Sequence, residues 1–421
     1  MLADRMILGE NAIYSTDCHV TGLNNNAIVC GGSGCGKTMS IAEPRLLETY
    51  HSSLIATVTK RRLVKKYIPV FEQRSYKVMD LNFVNPSQSN VAYDPLQYLK
   101  SYADITFLAR AVVMSNSRKE KSIVSDPYWD EAAISLLSAE VTFILMTKDN
   151  PTFADVLDLH NRLDIRDDGG QITTSLDREF KIVLEQQPDS FAVSCWRSFC
   201  NLPIKTASCV YGSLNTAIDT IFCPELRSMI RSKPKINIES LASERTVLFI
   251  STSAVNPALH SFINLFYAQV FKNLFEFAES RPTGTLPIPV HVLCDDFATG
   301  SRILNFPEYI SIFREKLISV TLLIQSESQL ESMYGREDSI TIINNCDSYV
   351  YMGGMDLKTG HSISERLNVP LEDVLYMPIG QIVVFRRDQK PLITTRYNVM
   401  KDQQYQIITN LYDKIMEKWE R

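Results

Sequence analysis

Residues 27–38 read AIVCGGSGCGKT, and the fold turns on this stretch. Four apolar residues run into a glycine-rich turn that ends in Gly-Lys-Thr. Gly31, Gly36, Lys37 and Thr38 fit the spacing G-x4-G-K-[ST] between a strand and a helix. The physical logic is direct. Glycines allow successive backbone N–H groups to turn inward around phosphate oxygens, and the helix start adds positive potential. Gly31, Gly32, Ser33, Gly34, Cys35, Gly36, Lys37, Thr38 and Met39 are therefore the expected nucleotide-binding residues. Lys37 is placed to reach the β- and γ-phosphates and the Thr38 hydroxyl to ligate Mg²⁺, so the expected cofactors are ATP and magnesium.

Outward from this loop the chain alternates strands and helices. Strands are predicted at Ala27–Cys30, Ser53–Val58, Lys77–Leu81, Thr246–Ser251, Val290–Cys294, Val320–Ile324 and Ser348–Met352, with a hairpin or edge pair at 382–386 and 392–397. The helix after the loop is expected from about Lys37 to Tyr50, bent at Pro44, which lacks a backbone donor. Further helices are expected at 257–279 and 403–417. Between residues 101 and 203 strand signals nearly vanish and apolar residues recur at helical spacing, as in Ile134, Leu137, Val141 and Leu145. Asp126 before Pro127 reads as a helix N-cap there. The pattern predicts an α/β fold with a mostly parallel central sheet flanked by helices, built from 1–100 and 204–421, and an all-helical insertion at 101–203.

A second element, an acidic strand, is the expected partner of the glycine loop. VHVLCDDF, residues 290–297, is a buried-type strand ending in two carboxylates. Asp295 suits a magnesium ligand and Asp296 the polarisation of an attacking water, although an ordinary strand end reads the same in isolation. Gln325 closes the strand TLLIQS, either as a γ-phosphate sensor or as a polar cap. Arg314 lies between those strands, and spacing alone leaves it a solvated arginine or a transition-state cation. The cluster Lys60, Arg61, Arg62, Lys65 and Lys66 reads as a solvated helix face or as a contact to nucleic-acid phosphates.

Composition narrows the partners. The chain has 421 residues, 45% of them hydrophobic and 22% charged, and a formal net charge of -5. That balance excludes an extended basic coat for duplex DNA and confines any DNA contact to local clusters. None of the nine cysteines stands in a CxxC pair, which points to a reducing compartment without a zinc site. No run approaches the roughly 18–20 apolar residues of a membrane span. The sequence thus reads as cytoplasmic.

With these residues in place, the chain resembles the TraG/TraD-type coupling ATPases of type IV secretion and conjugation. The resemblance runs from about residue 21 to 386. It rests on TGLNNNAIVCGGSGCGKT (21–38), NVAYDPLQYL (90–99), DPYWDEAAISLL (126–137) and the segment 294–335, which carries Asp295, Arg314 and Gln325 in the family's order. It implies a RecA-like P-loop motor acting as a homo-hexamer, with the monomer as the alternative state of the isolated chain. Its partners would be DNA presented with a bound relaxase and the proteins of a secretion channel at the inner face of the membrane. By the same resemblance Gln325 is the sensor and Arg314 the arginine finger. Three departures stand out: D-P-K-G-E after the second strand is reduced to Lys60, the acidic pair is Asp295-Asp296 rather than Asp-Glu, and an N-terminal anchor is not seen. The expected function is ATP-driven coupling of DNA or nucleoprotein to the channel. The alternative is an ATP-binding adaptor that hydrolyses weakly and recruits without pumping.

Overall fold

The structure, a computed structural model, describes residues 3–115, 127–169, 171–253, 257–297, 299 and 301–419. Its strands are β1 (Arg5–Gly9), β2 (Ala12–Ser15), β3 (Ala27–Cys30), β4 (Ser53–Val58), β5 (Lys77–Asn82), β6 (Ile165–Asp168), β7 (Gln171–Thr174), β8 (Thr246–Ser251), β9 (Val290–Cys294), β10 (Ile318–Ile324), β11 (Ser348–Tyr351), β12 (Gln381–Arg386) and β13 (Leu392–Thr395). Nine of them form one sheet in the order β13-β12-β11-β3-β10-β9-β4-β8-β5. From β5 to β11 every pairing is parallel; β12 and β13 join antiparallel at one edge.

β3, β4, β8 and β9 are buried along their whole length, as strands covered on both faces must be. Alternate residues serve opposite faces. Ile28, Ile55, Leu248, Val292 and Leu322 pack toward the helix Pro257–Glu279, whose Phe262, Phe266 and Phe271 are fully buried. Val29, Leu54, Phe249, Leu293 and Leu323 pack against the helix Arg61–Gln73 and the small β1–β2 hairpin. That hairpin gives no sign in the sequence reading; Gly9 lies close against β12 and β13 side chains.

The stretch 101–203 departs from an all-helical expectation. It holds the helices Tyr102–Ser115, Pro127–Thr147, Phe153–Asn161, Asp177–Gln186 and Phe191–Cys200, but also the antiparallel pair β6–β7. Directly after β6, Gly169 takes a positive φ of 62°. Helical packing also continues past 203, because Ile204–Ile221 lies against Tyr102–Ser115 and Pro127–Thr147. Asp126, expected as an N-cap, lies outside the described residues. Asp94 joins the two regions: its buried carboxylate accepts from Leu96 N at 3.2 Å and from Phe153 N at 3.0 Å.

The helix after the glycine loop is shorter and differently wound than expected. Thr38–Ala42 forms a π turn and Glu43–Leu47 an α-helix. The cause is Pro44, which cannot donate to Ser40, so the preceding turn widens and Glu43 N reaches back five residues to Thr38 O. Among the described residues no helix is long and apolar enough to cross a membrane.

Candidate active site

All the parallel strands end at one edge, where loops collect ligands in sheets of this kind. β3 delivers the glycine loop to that edge. Gly31 N donates to Ile324 O at 3.1 Å and Gly32 N to Gly353 O at 2.9 Å, so the loop is pinned to the ends of β10 and β11. Gly31 has no room for a side chain: a Cβ there would meet Cys35 Sγ at 2.6 Å and Met352 Cβ at 2.9 Å. Gly36 needs its positive φ of 94°. The Lys37 ammonium is buried and donates to Gly31 O and, at 3.2 Å, to Gly32 O. Lys37 is thus folded back onto the loop that it serves.

β9 brings the carboxylates. Leu322 of β10 is level with Ile28 of β3 on one side and with Cys294 of β9 on the other. β10 therefore lies between the two strands, and the glycine loop after Cys30 and Asp295 after Cys294 both leave the sheet at the same edge. Asp295 is buried and takes a long contact from Thr59 Oγ1 at 3.5 Å. Burial, with the adjacent Asp296 charge second, pushes its carboxyl up to about 6, while Lys37 and Lys60 pull it the other way. That coupling places both lysines within electrostatic reach of Asp295. Asp296 is half-buried in the left-handed region at φ 54°, and the turn is fixed by Phe297 N donating to Leu323 O at 2.9 Å.

The other expected residues divide. Gln325 is exposed at the end of β10, between the loop and the carboxylates; its backbone N donates to Gln329 Oε1 at 3.1 Å. Arg314 is not brought to this site. It stands in the last turn of the helix Phe306–Lys316, which leads into the start of β10, so it lies at the opposite edge of the sheet. There its charge acts on the Cys18 thiol. The basic cluster also splits: Arg61 pairs with Asp80 at 2.6 Å, Lys66 forms a buried pair with Glu43 at 3.2 Å, and Lys60, Arg62 and Lys65 are exposed.

Sequence reasoning missed three neighbours. Thr59 directly follows β4 and lies beside Asp295, a signal present in the sequence as a hydroxyl just past a strand end. His260 lies within the field of Asp296, yet burial holds its imidazole below the ordinary range. Its Nε2 donates to Ser253 O at 3.1 Å. Arg396, just beyond β13, donates from Nη1 to Cys35 O at 2.9 Å, and nothing local in the sequence announces it.

The residues fit a magnesium–triphosphate. Magnesium usually takes one or two carboxylates plus phosphate oxygens rather than an all-protein cage. Asp295 offers one such carboxylate at the edge to which β3 delivers the glycine loop, and no cluster of three or more His, Cys, Asp or Glu suited to a metal occurs among the described residues.

Comparison with known proteins is consistent with this geometry. The family model described as "Type IV secretory system Conjugative DNA transfer" matches residues 4–368. No curated protein matches the sequence. Among solved structures, the bacterial conjugative coupling protein TrwBdeltaN70 in complex with sulphate superposes with a TM-score of 0.68 at 17% identity, covering 89% of this chain and 85% of that one. The plasmid coupling protein TrwB in complex with the non-hydrolysable ATP analogue ADPNP gives 0.67 at 17% identity, over 89% and 85%. VirB4 of Thermoanaerobacter pseudethanolicus gives 0.54 at 12% identity, over 94% and 96%. At these identities the likeness establishes a TrwB-like, RecA-type P-loop fold. The family match covers most of the chain, and the chain belongs to the type IV secretory system conjugative DNA transfer family.

Proposed function

We propose that this chain is a magnesium-dependent ATPase that couples hydrolysis to the movement of DNA or nucleoprotein toward a type IV secretion channel. The observation that carries the reading is the shared edge: the Lys37 loop and Asp295 stand side by side across β10. Lys37 exchanges the carbonyls of Gly31 and Gly32 for β- and γ-phosphate oxygens. Thr38 and Asp295 would hold magnesium, which when bound neutralises charge on the phosphates. Asp296 positions the attacking water and Gln325 senses the γ-phosphate. DNA, secretion-channel proteins and further copies of this chain are the partners.

Arg314 acts in a neighbouring subunit, because its own helix carries it to the far edge of the sheet. Arg314→Ala should lower ATP turnover by roughly 10³-fold, as removal of an arginine finger does, with nucleotide affinity unchanged. Mixing Arg314→Ala chains with Lys37→Ala chains should restore part of the rate, since mixed pairs contain one complete site. Loss of nucleotide binding in Arg314→Ala would instead give this residue a structural role.

The adaptor alternative has one observation in its favour. The Asp296 carboxylate is one methylene shorter than glutamate and sits in a left-handed turn. Steady-state ATPase rates with and without single- and double-stranded DNA, read beside native mass, separate the two. Stimulation by DNA together with a ring-sized assembly is the expected result. A flat, slow rate at saturating DNA would favour the adaptor.

A further inference from the structure

A cleft of about 980 Å³ opens between the start of the phosphate-loop helix and the β12–β13 end of the sheet. One wall is Gly36, Met39 and Ser40; the other includes Ile379, Ile393 and Arg396. Two features of the second wall stand out. Ile379 is 97% exposed and Ile393 55%, so apolar side chains line the mouth of a cleft whose other wall is the phosphate loop. The Arg396 guanidinium lies directly on Gly36: a Cβ added there would meet Nη1 at 2.8 Å and Cζ at 3.6 Å. Its backbone is held in place, with Arg396 N donating to Gly380 O at 2.9 Å.

A triphosphate seated on the loop amides leaves its nucleoside on the side of Met39 and Ser40, where the chain leaves the loop. A purine is flat, with apolar faces and a π-system, and a planar guanidinium beside aliphatic side chains is suited to receive it. Resting on the ATP reading above, we propose that this cleft takes the purine base of the nucleotide. Arg396 stacks on one face of the base and Ile379 covers it, so the C-terminal hairpin supplies the base-binding residues. The bond from Arg396 to Cys35 O holds the guanidinium at the cleft before the ligand arrives.

The test compares a ligand that has a base with one that has none. The unsubstituted chain, Arg396→Ala, Arg396→Lys and Ile379→Ser are titrated by calorimetry with ATP and with inorganic tripolyphosphate, both with magnesium. Circular dichroism checks each fold; Ile379, being exposed, can be changed without disturbing the core. Arg396→Ala should raise the Kd for ATP by about tenfold and leave that for tripolyphosphate unchanged. Arg396→Lys should behave like the alanine variant, and Ile379→Ser should weaken ATP alone. Parallel loss of both ligands in Arg396→Ala, or full rescue by lysine, would make Arg396 a phosphate contact and overturn the proposal. So would unaltered ATP affinity in both Arg396→Ala and Ile379→Ser. If the unsubstituted chain binds tripolyphosphate and ATP equally well, the base slot fails while the phosphate loop stands. If it binds neither, the ATPase reading fails and takes this one with it.

Discussion

Alanine at Lys37 is expected to cut ATP turnover by roughly 10³-fold, the scale on which removing one charge-stabilising donor acts. The ammonium has partners before nucleotide arrives. It is buried and bonded to Gly31 O and Gly32 O, so it already sits inside the curve that phosphates fill. Phosphoryl transfer asks the protein mainly for positioning and for compensation of charge on the β/γ-bridge and the γ-oxygens. A methyl group supplies neither. The fold should survive, because the loop is held independently by Gly31 N on Ile324 O and Gly32 N on Gly353 O. Phosphate release at saturating ATP is the measurement, with circular dichroism as the control. Turnover within a factor of ten of the unsubstituted chain would remove Lys37, and the glycine loop with it, from the mechanism.

Asp295→Asn should separate activity from stability in opposite directions. Hydrolysis should fall by at least roughly 10²-fold, since the carboxylate that would hold the metal is gone. The nucleotide-free protein, in contrast, should become more stable at neutral pH. Burial pushes this carboxyl from an ordinary 3.8 up to about 6, so the folded state favours the protonated form more than the unfolded chain does. The resulting penalty is absent below pH 3.8, grows between the two values and is fully present above about 6. At about 1.4 kcal/mol per factor of ten it amounts to about 3 kcal/mol at pH 7.5. Asparagine, uncharged at every pH, escapes it. For a chain of this length the thermal midpoint should rise by about 3 °C. The gain should shrink as pH drops from 6 toward 5, and magnesium–ATP should stabilise the unsubstituted chain more than the variant. A lower midpoint for Asp295→Asn at neutral pH would mean that the carboxylate is satisfied in the free protein and that its charge is no burden.

How much of this was legible depended on whether the determining contacts are local. The glycine loop and the acidic strand are each short and continuous, and both stand where their patterns place them. Parallel strands with helical returns also follow from alternating patterns. The strand order does not: that β10 separates β3 from β9 is decided by crossovers, which no local window contains. The position of Arg314 could have been derived, because a helix joining two parallel strands must return to the edge where the second one starts. Pro44 was read correctly as a disturbance, but its effect was a widened turn before it and an early end to the helix at Leu47 rather than a simple bend. The β6–β7 pair escaped the reading because its two short strands lie within a stretch dominated by helical periodicity. Arg396 was out of reach, since 361 positions separate it from Cys35.

The family match ends at residue 368, yet the folding unit does not. β12 and β13 cap the β11 edge of the sheet. The ring of Tyr405 lies 3.4 Å from the Lys66 ammonium, which is paired with Glu43 in the helix that leaves the phosphate loop. A polypeptide cut back to the stretch that kinship defines would bare a row of unpaired backbone groups on β11 and admit water to an enclosed ion pair. Such a fragment would be prone to stick to its own copies, and an insoluble product would say nothing about whether the whole chain hydrolyses ATP. Any dissection of this protein must therefore carry the tail through at least Tyr405, where ancestry and architecture part company.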